Sequence, residues 1–188
     1  RAYVIACSTG LEGRTIGPLA QAFGMSKSGV FAHFGSREDL QLAVLDAAGQ
    51  RFVSTVLSPA LKAPRGIPRL RAIAEGWFEW ARQSEGGCIL LSAASEFDDR
   101  PGPLRDRIVR NELLWREQIC RAVQIGVDVG DLAADTEPEQ MAFELYSLAL
   151  TVHHDAGLFG FDLAVSRGRR ALERLFRSYA PQSGAPQS

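Results

Sequence analysis

Hydroxyl and cationic side chains are clustered between residues 26 and 37, at spacings that suit contact with a phosphate backbone. Ser26, Lys27 and Ser28 are consecutive, and His33 and Arg37 follow shortly after. Such groups donate hydrogen bonds to phosphate oxygens, and serine or lysine can also reach base edges in a DNA groove. Taken alone, Lys27 and Arg37 are typical of a solvated surface, and His33 is typical of a helix histidine whose hydrogen bonds are satisfied. Whether these side chains contact nucleic acid therefore depends on the secondary-structure elements that carry them.

Two short apolar segments in this region predict a pair of helices separated by a tight turn. The helices are expected at about 15–23 and 27–34. Gly24 would end the first helix and Ser26 would cap the second. Ala20 is small where the two helices must approach closely. This is the helix-turn-helix layout, whose second helix enters the major groove of DNA. Short helix pairs also occur in proteins that do not bind DNA, so the layout alone does not decide the function.

The segment 16–45 resembles the N-terminal DNA-binding region of the tetracycline-repressor (TetR) family of transcriptional regulators. The resemblance is carried by these residues: Thr15, Leu19, Ala20, Gly24, Met25, Ser26, Val30, Phe31, His33, Phe34, Ser36, Arg37, Glu38 and Leu40. It implies an all-α protein, in which an N-terminal helix-turn-helix domain precedes a helical domain for ligand binding and dimerisation. The implied function is ligand-responsive regulation of transcription. We expect a repressor that binds a palindromic operator as a homodimer and is released by a small hydrophobic or aromatic effector.

The resemblance also implies DNA-binding roles for individual positions. Thr15 would cap a helix and contact a phosphate, Lys27 would reach phosphate or guanine, and His33 and Arg37 would contact further phosphates. Gly29 has no side chain and would permit close approach to the groove. The complete predicted DNA-binding set is Thr15, Ser26, Lys27, Ser28, Gly29, Phe31, Ala32, His33 and Arg37.

Two positions depart from the family pattern. Phe31 stands where tyrosine is usual, so a hydroxyl that commonly bonds phosphate is absent. Ala32 stands where longer polar side chains often read bases. Both can still contact a thymine methyl group. We therefore expect fewer hydrogen bonds to DNA and a specificity that relies on apolar contacts and DNA shape.

Composition neither requires nor favours nucleic-acid binding by bulk charge. The chain of 188 residues has a formal net charge of -1, and the charges within residues 1–47 balance.

No apolar run is long enough to cross a membrane, and the N-terminus lacks the pattern of a signal peptide, so we expect a cytoplasmic protein. The spacing of Cys7, Cys88 and Cys120 matches neither a zinc site nor a disulfide framework. Each is expected to be a small buried hydrophobe, with a redox switch as the alternative.

The remainder of the chain is also expected to be helical. Its helices are predicted at about 37–57, 68–85, 88–98, 102–129, 137–158 and 162–179, with a further short one at 1–9. The division into domains is expected at 1–47 for DNA binding and 48–180 for ligand binding and dimerisation. Residues 181–188 consist of Pro, Gln, Ser, Gly and Ala and are expected to be a disordered tail.

Aromatic residues in the second domain could form the wall of a ligand pocket. Such pockets are mostly apolar with a few polar groups. The candidates are Trp77, Trp80, Glu96, Trp115, Tyr146 and His153. The alternative for each aromatic residue is that it belongs to the hydrophobic core.

The last two helices are expected to form a four-helix interface with those of a second copy. The helix at 137–158 is apolar on two sides, so it needs a second partner besides its own core. The predicted dimer contacts are Leu145, Leu148, Val152, Leu172, Leu175, Phe176 and Tyr179. The arginines of the last helix are interpreted as a solvated face.

An enzyme is the rival from another class. The sequence contains no nucleophile elbow, P-loop, dinucleotide glycine motif or HExxH motif. His153 and His154 are adjacent and point about 100° apart on a helix, so they are poorly placed to share one metal. We therefore expect no catalysis, no metal and no cofactor. The other alternative is a helical ligand-binding or adaptor protein without DNA binding, which salt-dependent retention on DNA would distinguish.

Overall fold

Helices make up the regular secondary structure throughout the described part of the chain, as predicted. The computed structural model describes residues 11, 20–21, 24, 26–83 and 88–181, except for the side chain of residue 31. Its helices longer than one turn are α1 (Lys27–Phe34), α2 (Arg37–Phe52), α3 (Ile67–Gln83), α4 (Ile89–Phe97), α5 (Pro103–Asp128), α6 (Pro138–Phe159) and α7 (Phe161–Ser178). The predicted helix 1–9, most of the helix 15–23 and the tail from residue 182 lie outside the described residues. No described helix is long and apolar enough to span a membrane.

Serine side chains begin the first two helices, as expected from their positions. The backbone N–H of Gly29 donates to Ser26 Oγ over 3.0 Å at the start of α1. At the start of α2, the N–H of Asp39 donates to Ser36 Oγ over 3.0 Å, and the Ser36 hydroxyl donates to Asp39 Oδ2 over 2.6 Å. The two bonds donated by Gly29 and Asp39 satisfy backbone N–H groups that a helix start otherwise leaves unpaired.

The predicted helix 37–57 is not α-helical to its end. The segment Val53–Leu57 is π-helical and is followed by a single turn, Ser58–Ala60. Pro59 lies in that turn. A proline within a helix lacks an N–H and its ring clashes with the carbonyl group four residues earlier, here that of Thr55. The wider π turn accommodates this residue without ending the helix.

Two compact units divide the chain differently from the predicted boundary after residue 47. Unit 1 comprises Arg1–Val53 and Gln83–Leu113, and unit 2 comprises Ser54–Arg82 and Leu114–Ser188. Unit 1 therefore contains α1, α2, α4 and the first part of α5. Its core includes Ala20, Val30, Leu45, Ile89 and Phe97, among other buried residues. The helix-turn-helix region thus shares a hydrophobic core with later helices of the chain.

Unit 2 is built around α3, α6 and α7. The predicted apolar stripe of α3 is buried at Leu70, Ile73, Ala74, Trp77 and Phe78. Helices α6 and α7 pack closely as an antiparallel pair. Ion pairs join α3 to α7, between Arg71 and Glu173 and between Arg169 and Glu75. Burial of apolar surface and these exposed pairs hold the three helices together, with burial contributing most.

Candidate DNA-binding surface and effector site

Helix α1 has one face towards its own core and another towards solvent. Val30 is buried and Phe34, one turn later, packs partly buried against the same cluster. Ser28 and Ala32 are also one turn apart and both are exposed. Residues four apart on a helix share a face. The helix is therefore anchored by apolar side chains on one side while small side chains on another remain open to a partner.

Hydroxyl groups at the start of α1 are joined in a short network. Ser26 Oγ and Ser28 Oγ lie 2.8 Å apart, and Ser26 Oγ also accepts from the Gly29 N–H. Lys27 lies between them and is exposed, whereas Gly29 is half-buried. The network orients both hydroxyls at the exposed start of α1. Thr15 and the side chain of Phe31 lie outside the described part of the structure.

The two predicted phosphate contacts at the end of the segment are also exposed. His33 is exposed at the end of α1, and its ring meets the Phe34 ring edge-on at a centroid distance of 4.8 Å. Arg37 is exposed in the first turn of α2, beside Glu38 and Asp39. These carboxylates reduce the positive potential near Arg37, in agreement with the absence of excess basic charge in the sequence.

Three of the predicted pocket residues form an aromatic cluster in unit 2. The ring of Trp77 lies 5.1 Å from that of Trp115 and 5.3 Å from that of Tyr146, with an interplanar angle of 77° in both pairs. Edge-to-face contacts of this kind are favourable beyond the area they bury. The guanidinium group of Arg116 lies 4.2 Å from the centroid of the Tyr146 ring. This cation–π contact was not predicted, because residues from two helices make it and periodicity within one helix does not reveal it.

The half-buried imidazole of His153 lies on the same helix as Tyr146, two turns further along. Within the described residues its Nδ1 atom is buried and has no hydrogen-bond partner. Burial lowers the pKa of His153 below its ordinary value, and the neighbouring His154 lowers it further. The imidazole is therefore neutral near pH 7, with one ring nitrogen available to a hydrogen-bonding ligand.

The remaining two pocket candidates differ from this group. Trp80 is 2% exposed and belongs to the core of unit 2, as Trp77 and Tyr146 also do at 5% and 7%, but the two ring contacts that define the cluster do not include it. Glu96 lies on α4 in unit 1 and is half-buried. The sequence does not reveal this separation, because the predicted domain boundary assigned both residues to one unit.

The predicted dimer contacts are divided between the interior of unit 2 and its surface. Leu145, Val152, Leu172 and Phe176 are buried within the protomer, where they pack α6 and α7 into their own core, so they are not available to a second copy. Leu148, Leu175 and Tyr179 are half-buried. Tyr179 is moreover engaged within the chain, since its carbonyl accepts from the Ala133 N–H over 2.8 Å.

A groove of about 830 Å³ follows the line of contact between α6 and α7. Its lining residues are Phe143, Glu144, Ser147, Leu148, Arg167, Arg170, Ala171, Arg174, Leu175 and Ser178. We call this surface the seam groove. Phe143 is 56% exposed there. Three arginines line this groove and are exposed, in agreement with the interpretation of a solvated face. Their spacing of three and four residues is the signal that could have indicated one shared face.

The described residues hold no group of three or more His, Cys, Asp or Glu side chains that could bind a metal ion. Cys88 is buried and Cys120 is half-buried, and neither forms a disulfide bond within the described residues. Burial raises the pKa of the Cys120 thiol, which disfavours the reactive thiolate. Cys7 lies outside the residues described.

The sequence matches the family described as tetracyclin repressor-like, C-terminal domain, over residues 66–172. The chain belongs to the tetracycline-repressor family. It is a ligand-responsive, DNA-binding regulator of transcription, and the family consists of regulators rather than enzymes. Residues 16–45 thus resemble the family's DNA-binding region, and residues 66–172 match its C-terminal domain.

Solved structures show the same fold in this family. A TetR-family transcriptional regulator from Streptomyces coelicolor superimposes with a TM-score of 0.82 at 20% identity, covering 95% of this chain and 92% of that one. A TetR-family regulator from Cytophaga hutchinsonii has a TM-score of 0.79 at 19% identity, covering 95% and 90%. The regulator AibR, solved in complex with isovaleryl coenzyme A and operator DNA, has a TM-score of 0.72 at 19% identity, covering 94% and 98%. Comparison with curated proteins gives no significant match.

Proposed function

We propose that this TetR-family regulator is a homodimeric repressor, which binds a palindromic operator through α1 of each protomer and releases it when a small molecule binds in unit 2. The observation that carries the proposal is the geometry of α1. Its buried Val30 anchors the helix to a core, while Ser26, Lys27 and Ser28 are exposed at its N-terminus. Recognition helices contact base edges with residues of this N-terminal part.

The polar groups of α1 and α2 suit a division between phosphate contact and base reading. Lys27 and Arg37 supply cationic donors for phosphate oxygens, and His33 supplies a ring N–H. Ser28 and Ala32 share an exposed face, so they are the positions from which a hydroxyl and a methyl group would meet base edges. With few long polar side chains in the groove, discrimination between operators rests partly on thymine methyl groups and on DNA shape.

A second copy is needed for a palindromic operator. A dimer presents two recognition helices about one DNA turn apart, roughly 34–36 Å. The seam groove supports an interface at α6 and α7, since it combines exposed Phe143 with half-buried Leu148 and Leu175. An exposed apolar patch of this kind on a folded domain marks an interaction surface.

The effector site is proposed at the aromatic cluster of Trp77, Trp115 and Tyr146, with His153 as its polar contact. A neutral imidazole on the helix that carries Tyr146 favours an uncharged aromatic or apolar effector with one hydrogen-bonding group. Helix α5 contributes Trp115 to unit 2 and Arg107 to unit 1, where Arg107 pairs with Asp46 of α2. A displacement of Trp115 would thus be transmitted along one continuous helix. AibR, of the same fold, has been solved with both a small molecule and operator DNA.

The experiment that tests the proposal is selection of bound sequences from random DNA duplexes by the purified full chain. The unsubstituted chain is compared with a Lys27→Ala/His33→Ala variant. Lys62→Ala is the control, because it removes one exposed lysine elsewhere in the chain. We expect the unsubstituted protein and Lys62→Ala to enrich the same palindrome, and the double variant to enrich none. Enrichment of single half-sites would contradict the dimer. Retention of no duplex by a folded protein would favour the non-DNA-binding alternative.

A ligand screen completes the test. Compounds are added to the complex with the selected operator, and release is followed by fluorescence anisotropy of labelled DNA. A true effector must bind the DNA-incompetent state more tightly, because a ligand with equal affinity for both states shifts nothing. Compounds that release the DNA should also change the emission of Trp77 and Trp115, and the response should weaken in a His153→Ala variant. If a compound releases DNA from the His153→Ala variant as readily as from the unsubstituted protein, the effector binds elsewhere.

A further inference from the structure

Helix α1 and its cap are rich in hydrogen-bond donors and poor in acceptors. The segment 26–34 contains no Asp, Glu, Asn or Gln. Its polar side chains are two serine hydroxyls, the donor-only ammonium group of Lys27, and the imidazole of His33 in the last turn. In the major groove, carboxylate and amide oxygens read the amino groups of cytosine and adenine, whereas donors read the keto oxygens of guanine and thymine. The segment therefore lacks the side chains that usually read an amino base.

The two serines at the start of α1 direct one hydroxyl hydrogen outwards. Ser26 Oγ and Ser28 Oγ lie 2.8 Å apart, so one hydroxyl donates to the other and the second hydroxyl hydrogen stays available. Ser26 Oγ also accepts from the N–H of Gly29 over 3.0 Å. Whichever serine donates within the pair, the outward O–H belongs to a hydroxyl that itself accepts a hydrogen bond. Hydrogen bonds in such a chain polarise one another, so the outward group is a strengthened donor.

Ser28 and Ala32 place a hydroxyl and a methyl group on one exposed face. They are one turn apart on α1, and both are exposed. Along the helix axis they are about 6 Å apart. Stacked base pairs are only about 3.4 Å apart, so the two side chains face neighbouring base pairs rather than the same one. Thymine presents both a keto oxygen and a methyl group in the major groove. The hydroxyl and the methyl group therefore favour bases of the same class.

We propose that Ser28 and Ala32 determine the sequence specificity of α1 and that they select keto bases. The Ser28 hydroxyl donates to guanine or thymine, and the Ala32 methyl group packs on the methyl group of a thymine at a neighbouring base pair. The inference rests on the proposed role of α1 in operator binding and goes beyond it by naming the bases that α1 reads. Opposite Ser28, adenine or cytosine would present an amino group to a donor, and α1 offers no carboxylate or amide oxygen to accept from it.

Asparagine at position 28 tests this reading, because its amide supplies the missing acceptor. Half-sites are selected from random duplexes with the unsubstituted chain, Ser28→Asn and Ser92→Asn. Asparagine pairs with N6 and N7 of adenine, so Ser28→Asn should change one base pair of the half-site to place adenine there and should leave the others unchanged. Ser92 is exposed on α4, and Ser92→Asn should select the same half-site as the unsubstituted chain. A half-site that Ser28→Asn leaves unaltered would overturn the inference.

Base analogues in the selected operator identify the atom that Ser28 contacts. 7-Deazaguanine lacks N7, and 6-thioguanine and 4-thiothymine carry sulfur, a weak acceptor, in place of the keto oxygen. At the base pair that responds to Ser28→Asn, such an analogue should weaken binding of the unsubstituted chain by about two- to tenfold and should not weaken binding of Ser28→Ala further. The analogue that has this effect distinguishes guanine from thymine.

The opposite polarity has its own analogues. 2-Aminopurine and 2-pyrimidinone lack the major-groove amino groups of adenine and cytosine. If one of them weakens binding of the unsubstituted chain but not of Ser28→Ala, Ser28 accepts from an amino base and the inference is wrong. A loss that is equal in both proteins reflects the altered duplex, and the thio and deaza analogues then decide the polarity.

Deoxyuridine tests the methyl contact of Ala32, because it is thymine without its methyl group. At the neighbouring base pair, this replacement should weaken binding of the unsubstituted chain by about fourfold, whereas Ala32→Gly should bind both duplexes equally. If the chain selects a palindrome and neither Ser28→Ala nor Ala32→Gly alters its base preference, the inference fails while the proposed function stands. If the folded chain selects no duplex, the proposed function fails and the inference fails with it.

Discussion

Gly168 on α7 lies directly against Val152 on α6, so that a Cβ atom at position 168 would overlap Val152 Cγ2 and approach the Phe78 ring to 3.2 Å. Neither neighbour can move freely, because both are buried. We expect Gly168→Ala to lower the free energy of unfolding by about 1–3 kcal/mol, as overpacking of a core commonly does. Urea denaturation followed by tryptophan fluorescence measures it.

The matched control for that substitution is Gly157→Ala. Gly157 is also helical, and nothing lies within 4 Å of a Cβ atom placed there. Alanine has a higher helix propensity than glycine, so the control should be neutral or should stabilise the protein by up to about 1 kcal/mol. Equal destabilisation by both substitutions would contradict the close approach of α6 and α7 at Gly168.

Lys27→Ala should weaken operator binding through loss of a phosphate contact. A contact with phosphate carries no sequence information, so affinity should fall for all duplexes by a similar factor. The slope of log affinity against log salt concentration should also decrease by about one. Fluorescence anisotropy titrations at several salt concentrations measure both quantities, with Lys62→Ala as the control that keeps the slope. If Lys27→Ala relaxes the preference at a single base pair instead, Lys27 reads guanine.

The helices could largely be predicted from sequence because their signals are local. Ser26 and Ser36 cap α1 and α2, and the apolar stripe of α3 begins near its start at Leu70. Each of these signals is a residue type at a fixed offset within one helix. The π-helical segment before Pro59 is the exception, since a proline alone does not determine whether a helix ends, bends or widens.

The surface of α6 and α7 could be predicted less well because it depends on which apolar face packs inside. Helix α6 is apolar on two sides, and periodicity does not distinguish its core face from its outer face. The pattern therefore predicts Leu145 and Val152 at a dimer interface, although the structure buries them in the protomer. The seam groove depends on residues of two helices, Phe143 and Arg174 among them, so their common surface emerges only from tertiary packing.

The stability of the protein should fall as the pH is lowered through the titration of His153. Burial lowers the pKa of this imidazole in the folded protein below the ordinary value of 6.5. The unfolded chain therefore binds the proton more readily, and stability is lost progressively as the pH falls below about 6.5. Urea midpoints at pH 7.5, 6.5 and 5.5 should show this decrease, and His153→Gln should remove part of it.

His154→Gln is the control for the histidine prediction. His154 is exposed and adjacent in sequence, so its substitution alters the local charge but not the buried group. The decrease in stability at low pH should persist in this variant. A pH dependence that is identical in His153→Gln and in the unsubstituted protein would show that other groups cause it.

Gln41 should be important for the stability of unit 1. Its side chain is buried on α2, and Nε2 donates to the carbonyl oxygen of Leu11 over 2.8 Å. A leucine at this position would remove this buried hydrogen bond, at a cost of about 1–3 kcal/mol. We expect Gln41→Leu to lower the thermal midpoint by several degrees. Gln50→Leu, at an exposed position of the same helix, should change the midpoint little.

Because α1 shares the core of unit 1, operator affinity measured near the lowered midpoint should decline with the folded fraction in Gln41→Leu alone. Unchanged stability in Gln41→Leu would mean that water satisfies the Leu11 carbonyl equally well and that this segment is not held by Gln41.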